Sequence, residues 1–171
     1  MKNIVFSVIC CAVLQLPIIA QTPAAGGATD QDFVNLAAQT DMTEAHLGQL
    51  AQTAGSSQAV KDLGQMLATD HTSDYTQLSS VATKAGLTVP KGTDAKHDKM
   101  IAPFEKLKGK TFDHRYTQMM VKGHQEAIAA YKKEASGGQN ADIKAYAEQA
   151  LPTLEKHLKA AQDAEKAKSP S

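Results

Sequence analysis

One glutamate and three histidines stand where a helical sequence would normally place leucine or alanine. They are Glu44, His71, His124 and His157, and each lies on a different apolar stripe of the chain. Three imidazole nitrogens and one carboxylate oxygen together suit zinc, iron, manganese or copper in a site for a single ion. These residue types at this spacing therefore predict a transition-metal site in the interior of the fold.

A buried polar network would explain the same four residues without a metal. Hydrogen bonds among the carboxylate and the imidazoles would satisfy these groups and fix the register of the helices. The sequence favours neither interpretation. Asp70 and Asp113 are expected as acceptors for imidazole N–H groups, and Tyr116 is expected either as a hydrogen-bond donor to the site or as an ordinary core tyrosine.

Other chemistries find little support in the sequence. A carboxylate-bridged di-iron centre needs Glu-x-x-His on two helices, and no such pattern occurs. Copper binding by methionine is a weaker interpretation than core filling, because methionine at helical spacing usually packs. There is no Gly-x-Ser-x-Gly and no phosphate-binding glycine loop, so no catalytic motif is recognisable. A formal net charge of +0, with few aromatics among the lysines, argues against nucleic-acid binding.

The first 20 residues predict a secretory signal peptide. Lys2 is followed by an apolar stretch over residues 4–20 and then by small residues. Both cysteines, Cys10 and Cys11, lie in this segment, so the mature chain is expected to have neither a disulfide nor thiolate ligands. We expect export to the periplasm or cell envelope, with no transmembrane span after cleavage; an uncleaved anchor is the alternative.

The remaining residues predict one helical domain. Residues 21–29 read as a flexible tether, residues 30–165 as the domain and residues 166–171 as a disordered tail. Apolar residues at steps of three and four, without β-branched runs, indicate an all-α four-helix bundle with a short extra helix in the connection between the second and third long helices. The predicted helices span residues 30–54, 57–85, 94–107, 111–135 and 140–164.

Local signals mark the ends of these helices. Asp30, Ser57 and Thr111 are predicted N-caps, since their short polar side chains can accept a hydrogen bond from a free backbone N–H. Gly86 is typical of the residue that follows a helix C-terminus. Pro103 limits the regularity of the short helix, because its ring removes a backbone donor.

Counting along the helices tests whether the four polar residues share one level. Glu44 precedes the end of its helix by ten residues and His71 follows the start of its own by fourteen, which puts them about 15 and 21 Å from the intervening turn. If the connection crosses the bundle, His124 and His157 lie about 20 and 14 Å from the same end. An up-down-up-down bundle would put them at about 16 and 25 Å, so the crossover topology is slightly favoured.

Several motifs together resemble a known bacterial family. They are Asp70-His71, Phe112-Asp113-x-x-Tyr116 and Leu151-Pro152-x-x-x-x-His157, together with Asp32-Phe33-Val34, Ala37-Ala38, Glu44, Leu50-Ala51 and His124. This pattern resembles the exported family called domain of unknown function 4142, over residues 30–164.

The resemblance implies a ferritin-like bundle exported to the periplasm or envelope, without an established activity. Some members are described as predicted outer-membrane proteins, a label that fits poorly because no alternating lipid-facing strands are found in the sequence. Metal handling or envelope stress is the expected role, and a metal-free structural or interaction domain is the alternative. A weaker third interpretation is an enzyme that uses the cluster for acid-base or redox chemistry, which would need an open coordination position and a substrate channel. Nothing in the sequence supports a particular protein partner or a homodimer.

Overall fold

A computed structural model describes residues 28–167 of the chain. The predicted signal peptide, most of the predicted tether and residues 168–171 of the predicted tail lie outside the described residues. The described part is helical and contains no strand, which confirms the all-α prediction. Its elements are α1 (Ala28–Ala54), α2 (Gln58–Lys84), α3 (Ala95–Ile101), a 3₁₀ turn (Phe104–Lys106), α4 (Gly109–Gly137) and α5 (Ala141–Ala167).

Two of the predicted helix ends form as expected. The side chain of Ser57 caps α2 by accepting a hydrogen bond from the N–H of Val60. Gly86 follows the C-terminus of α2 with a φ of 73°, a left-handed conformation that glycine adopts without steric penalty. The predicted short helix divides at Pro103 into α3 and the 3₁₀ turn.

The other two predicted caps are wrong. Helix α4 begins at Gly109 rather than after Thr111, with Lys108 at the capping position. Asp30 lies inside the first turn of α1, where its carboxylate accepts hydrogen bonds from the N–H groups of Gln139 and Asn140. The carboxylate of Asp30 therefore stabilises the turn before α5, because the backbone N–H groups of that turn have no partner within a helix.

The four long helices pack as two antiparallel hairpins, α1 with α2 and α4 with α5. The contacts that join the hairpins, α1 with α4 and α2 with α5, are less extensive. Two apolar clusters fill the interior, one containing Phe33 and Tyr131 and the other containing Leu47 and Phe112. In each long helix, the predicted metal ligand lies between residues of one cluster and residues of the other.

The connection between α2 and α4 runs the length of the bundle. Asp113, near the start of α4, accepts hydrogen bonds from Ser56 and Ser57 at the turn between α1 and α2. Helices α2 and α4 therefore start at the same end and run parallel, which is the crossover alternative that the sequence slightly favoured. A single long crossover is the connectivity that ferritin-like folds use.

Side chains from α1 hold the crossover in place. The amide of Gln31 donates to the carbonyl of Thr88 at 2.7 Å and accepts from its N–H at 2.9 Å. Gln39 makes the same kind of paired contact, donating to the carbonyl of Gly92 and accepting from the N–H of Asp94. These bonds satisfy backbone groups that a helix or sheet would otherwise pair.

Candidate metal centre

Each long helix contributes one side chain to a polar centre in the middle of the bundle. Glu44 comes from α1, His71 from α2, His124 from α4 and His157 from α5. All four are buried, with relative exposures of 5%, 2%, 0% and 1% respectively. The structure thus brings together all four residues that the sequence proposed as metal ligands.

The three imidazole rings form a nearly equilateral triangle. Their centroids lie 5.7 Å apart for His71 and His124, and 5.3 Å apart for each of the other two pairs. One nitrogen from each ring lies within 4.8 Å of the corresponding nitrogens of the others. Glu44 Oε2 lies 3.0 Å from His71 Nε2 and 3.3 Å from His124 Nε2.

Four ligand atoms at this centre are buried without a hydrogen bond to any described residue. They are Glu44 Oε2, His71 Nε2, His124 Nε2 and His157 Nδ1. Glu44 Oε2 lies at ion-pair distance from two of these nitrogens, and no other described residue donates a hydrogen bond to it. A buried polar atom left without a partner costs about 1–3 kcal/mol. Four such atoms in one place form a set that a metal ion bound between them would satisfy.

In each imidazole, the nitrogen that faces away from the centre, here called the outer nitrogen, lies within hydrogen-bond distance of an acceptor. His71 Nδ1 lies 2.9 Å from Asp41 Oδ1, and His157 Nε2 lies 2.9 Å from Asp70 Oδ2. His124 Nδ1 donates at 2.9 Å to the backbone carbonyl of Met120, one turn earlier in α4. A carbonyl can only accept, so Nδ1 of His124 carries a proton, and Nε2 is the ring nitrogen that faces Glu44. Metal-ligating histidines commonly have this arrangement.

Positive charge on its neighbours stabilises the buried carboxylate of Glu44. Burial opposes ionisation of Glu44, but the charges of His124 and His71 outweigh it and hold the pKa of the carboxyl below its usual value. Burial likewise opposes protonation of His71, but Glu44 and Asp41 raise its pKa to about 10. A proton on His71 supplies the positive charge in the metal-free protein, and a metal cation can replace it.

His157 has the opposite preference. Burial lowers its pKa to about 4, and the neighbouring His71 and His124 act in the same direction, although Asp70 partly offsets them. The ring is therefore neutral near pH 7. Neutral imidazole is the form that binds metals.

The three additional predicted residues have different positions. Asp70 contacts His157, as described above. Tyr116 is fully buried, and its hydroxyl makes no hydrogen bond to any residue in the described range. Burial raises the pKa of this phenol, and the charge of Glu44 raises it further. Tyr116 therefore lies in the electrostatic field of the centre and keeps its proton.

Asp113 does not support the imidazoles, contrary to the sequence-based expectation. Its Oδ1 accepts from the N–H of Ser56, and its Oδ2 accepts from the hydroxyl of Ser56 and the N–H of Ser57. The start of α2 offers unpaired N–H groups, which attract a carboxylate. Although burial opposes ionisation, these hydrogen bonds hold the pKa of Asp113 below its usual value.

Asp41 is the residue of the centre that the sequence analysis missed. It is 1% exposed and lies three residues before Glu44, so both acids occupy one face of α1. Burial raises its pKa to about 7, against the effect of His71. An acid one helical turn from a predicted ligand was the signal that could have identified it.

The chain belongs to a family described as Domain of unknown function (DUF4142), whose sequence model matches residues 17–164. No curated protein and no solved structure matches the sequence significantly. Within the described residues, no helix is both long enough and apolar enough to cross a membrane.

Proposed function

We propose that this member of the Domain of unknown function (DUF4142) family binds one transition-metal ion through His71, His124 and His157 together with the adjacent Glu44. The observation that carries the proposal is the set of four unsatisfied ligand atoms, one from each long helix. A metal ion could receive a lone pair from all four atoms at once, and these four atoms make no hydrogen bond to any described residue. Three nitrogens and one oxygen suit zinc, iron, manganese or copper.

We infer a ferritin-like domain with a role outside the cytoplasm. A bundle with one long crossover fits a ferritin-like domain, although this centre has one carboxylate and three imidazoles instead of the bridging carboxylates of di-iron proteins. The composition of residues 1–20 supports export to the periplasm or cell envelope. There the protein would serve metal handling or the response to envelope stress.

The direct test is to express the mature chain, purify it without chelator and measure bound metals by mass spectrometry. We expect about one equivalent of a transition metal after supplementation. His46→Gln is the matched control, because His46 is exposed on α1 and should leave the stoichiometry unchanged. Absence of stoichiometric metal from the supplemented wild-type protein would exclude the proposed function.

A second candidate is a metal-free structural or interaction domain. It is favoured by one observation: His71 lies between two carboxylates, 2.9 Å from Asp41 and 3.0 Å from Glu44, so that a proton on its ring would give the centre an internal ion pair. This interpretation predicts that His124→Leu leaves thermal stability unchanged or raises it, because an apolar side chain replaces a buried polar one.

Metal binding predicts a different result for the same variant. A metal at 100 times its Kd should stabilise the wild-type protein by about 2.7 kcal/mol, or about 8–10 °C in Tm. His124→Leu should lose this metal-dependent increase. Thermal melts with and without metal, on both proteins, separate the two candidates.

A further inference from the structure

A cavity of about 270 Å³ lies beside the centre, between α2 and α5. His71 and His157 line it, and so do Asp70, Asp74, Ala150 and Lys156. We call this space the α2–α5 cavity. It lies along one of the two less extensive helix contacts, whereas α1 and α2 pack closely. Gly48 of α1 lies so close to α2 that a Cβ added to it would be 2.6 Å from the carbonyl oxygen of Gly64, which leaves no room for a side chain.

His157 differs from the other two histidines in having a partly exposed outer partner. Its outer partner, Asp70, is 33% exposed, whereas Asp41, the outer partner of His71, is 1% exposed. The outer partner of His124 is a carbonyl within its own helix. Of the three rings, His157 therefore exchanges its outer hydrogen bond for water most easily. Its inner nitrogen is buried and unsatisfied at the centre, so the residue connects the centre with the cavity.

Two carboxylates one helical turn apart give the α2–α5 cavity an acidic wall. Asp70 holds His157, and Asp74 accepts a hydrogen bond from the hydroxyl of Tyr146 at 2.8 Å. Lys156 is the one lysine or arginine among the lining residues, and the two histidines lie at the inner end of the cavity, at the centre. Acidic groups in a concave surface concentrate cations and accelerate their association.

We propose that the metal ion reaches and leaves the centre through the α2–α5 cavity, where Asp70 and Asp74 attract the cation and the ring of His157 moves aside. This route rests on the proposed metal-binding function. A second cavity, of about 290 Å³, lies on the α1–α2 side and includes His71, Asp41 and Ala45 in its lining. The α1–α2 cavity ends at the Asp41–His71 pair, in which both side chains are buried, whereas the α2–α5 cavity ends at a pair whose acid is 33% exposed. This difference makes the α1–α2 cavity the less favourable route.

Two alanines provide a matched pair of variants. Ala150 lines the α2–α5 cavity and Ala45 lines the α1–α2 cavity, and both are partly buried. Replacing each with phenylalanine narrows one cavity at a time. Narrowing the route raises the energy barrier for passage of the metal but does not change the free and bound states. Ala150→Phe should therefore slow uptake and release together by about tenfold or more and leave Kd unchanged. Ala45→Phe should leave both rates at wild-type values.

A second variant tests the acidic wall without adding bulk. Asp74→Asn should lower the association rate about threefold at low ionic strength and weaken its dependence on salt, with the release rate unchanged. Asp62→Asn removes the same charge from an exposed position of α2, away from the cavity, and should not change the rate. This pair decides the question if Ala150→Phe does not fold, as judged by circular dichroism.

The measurement is stopped-flow absorption with Co²⁺ as the probe, with equilibrium titrations in parallel. If the wild-type protein takes up no Co²⁺, both the route and the metal site are wrong. If it binds Co²⁺ but Ala150→Phe folds and keeps wild-type rates, or if only Ala45→Phe slows uptake, the route is wrong and the metal site stands. Wild-type rates for Asp74→Asn likewise overturn the proposed attraction of the cation.

Discussion

Buried carboxylates at the ends of the bundle differ from the carboxylate at its centre. At one end Asp113 accepts three hydrogen bonds from the α1–α2 turn, and at the other Asp30 accepts two from the backbone before α5. At the centre, Glu44 Oε2 is equally inaccessible but makes no hydrogen bond to a described residue. All three acids lie inside a largely apolar interior, yet only the first two are satisfied by the chain itself.

The comparison distinguishes acids that stabilise the fold through internal hydrogen bonds from an acid that a bound ligand would satisfy. The N-terminal end of a helix presents unpaired N–H groups, so an acid beside it has an internal partner. In the middle of a helix the backbone is already paired, and a buried polar side chain must find another side chain or an external group. Substitutions at the ends should therefore change stability, and substitutions at the centre should change metal affinity.

The largest effect is expected at the end that contains Asp113. Asp113→Ala removes three hydrogen bonds and should lower the free energy of unfolding by about 2–3 kcal/mol, while metal stoichiometry stays the same. Urea denaturation of the metal-free protein measures the loss, and Asp62→Ala, at an exposed position, should cost less than about 0.5 kcal/mol. A loss of bound metal with unchanged stability would show that Asp113 acts on the centre after all.

A smaller effect is expected beside the centre. Asp70→Asn weakens the acceptor that orients His157, and it should raise the Kd for metal about tenfold. Competition with a chromophoric chelator measures this affinity. Asp62→Asn serves as the charge-matched control on the same helix. An unchanged Kd for Asp70→Asn would mean that the Asp70–His157 contact does not orient the ligand.

The smallest effect concerns pH and the end that contains Asp30. Burial and the adjacent Asp30 together raise the pKa of Glu134 to about 7, against the smaller lowering effects of Lys144 and Lys133. Because the folded-state pKa lies above the unfolded value, the folded protein holds a proton that the unfolded chain releases between about pH 4.5 and 7. This stabilising contribution is complete below that range and is lost as pH rises through it.

Glu134→Gln should remove that loss, since the amide does not ionise. After allowance for solvent screening, the variant should gain about 1 kcal/mol relative to the wild-type protein at pH 8, and the gain should shrink toward pH 4. Urea denaturation at the two pH values measures both differences. A gain of equal size at the two values would show that ionisation of Glu134 is not the cause.

The sequence predicted the helices and the four central residues because both depend on local regularities. Apolar spacing and the signals at Ser57 and Gly86 locate the elements of the fold, and a polar residue on an apolar stripe is visible as an exception. The crossover followed from counting residues along each helix. These predictions needed only the period and length of the helices.

The errors concern partners that are distant in the sequence. Asp113 lies on the same stripe as His124, but eleven residues earlier, which is about 16 Å along the axis. Asp30 pairs with a turn more than a hundred residues away. No local pattern specifies such pairings, because they depend on how the two hairpins meet.

The division of the ligands between the two hairpins has a consequence for cohesion. Glu44 and His71 come from the first hairpin, and His124 and His157 come from the second. In sequence the hairpins are joined only by the crossover, and in space by the less extensive contacts of α1 with α4 and α2 with α5. An ion held by all four residues would act as a cross-link between the two halves. Its removal would then loosen the seams between the hairpins while each hairpin kept its own packing.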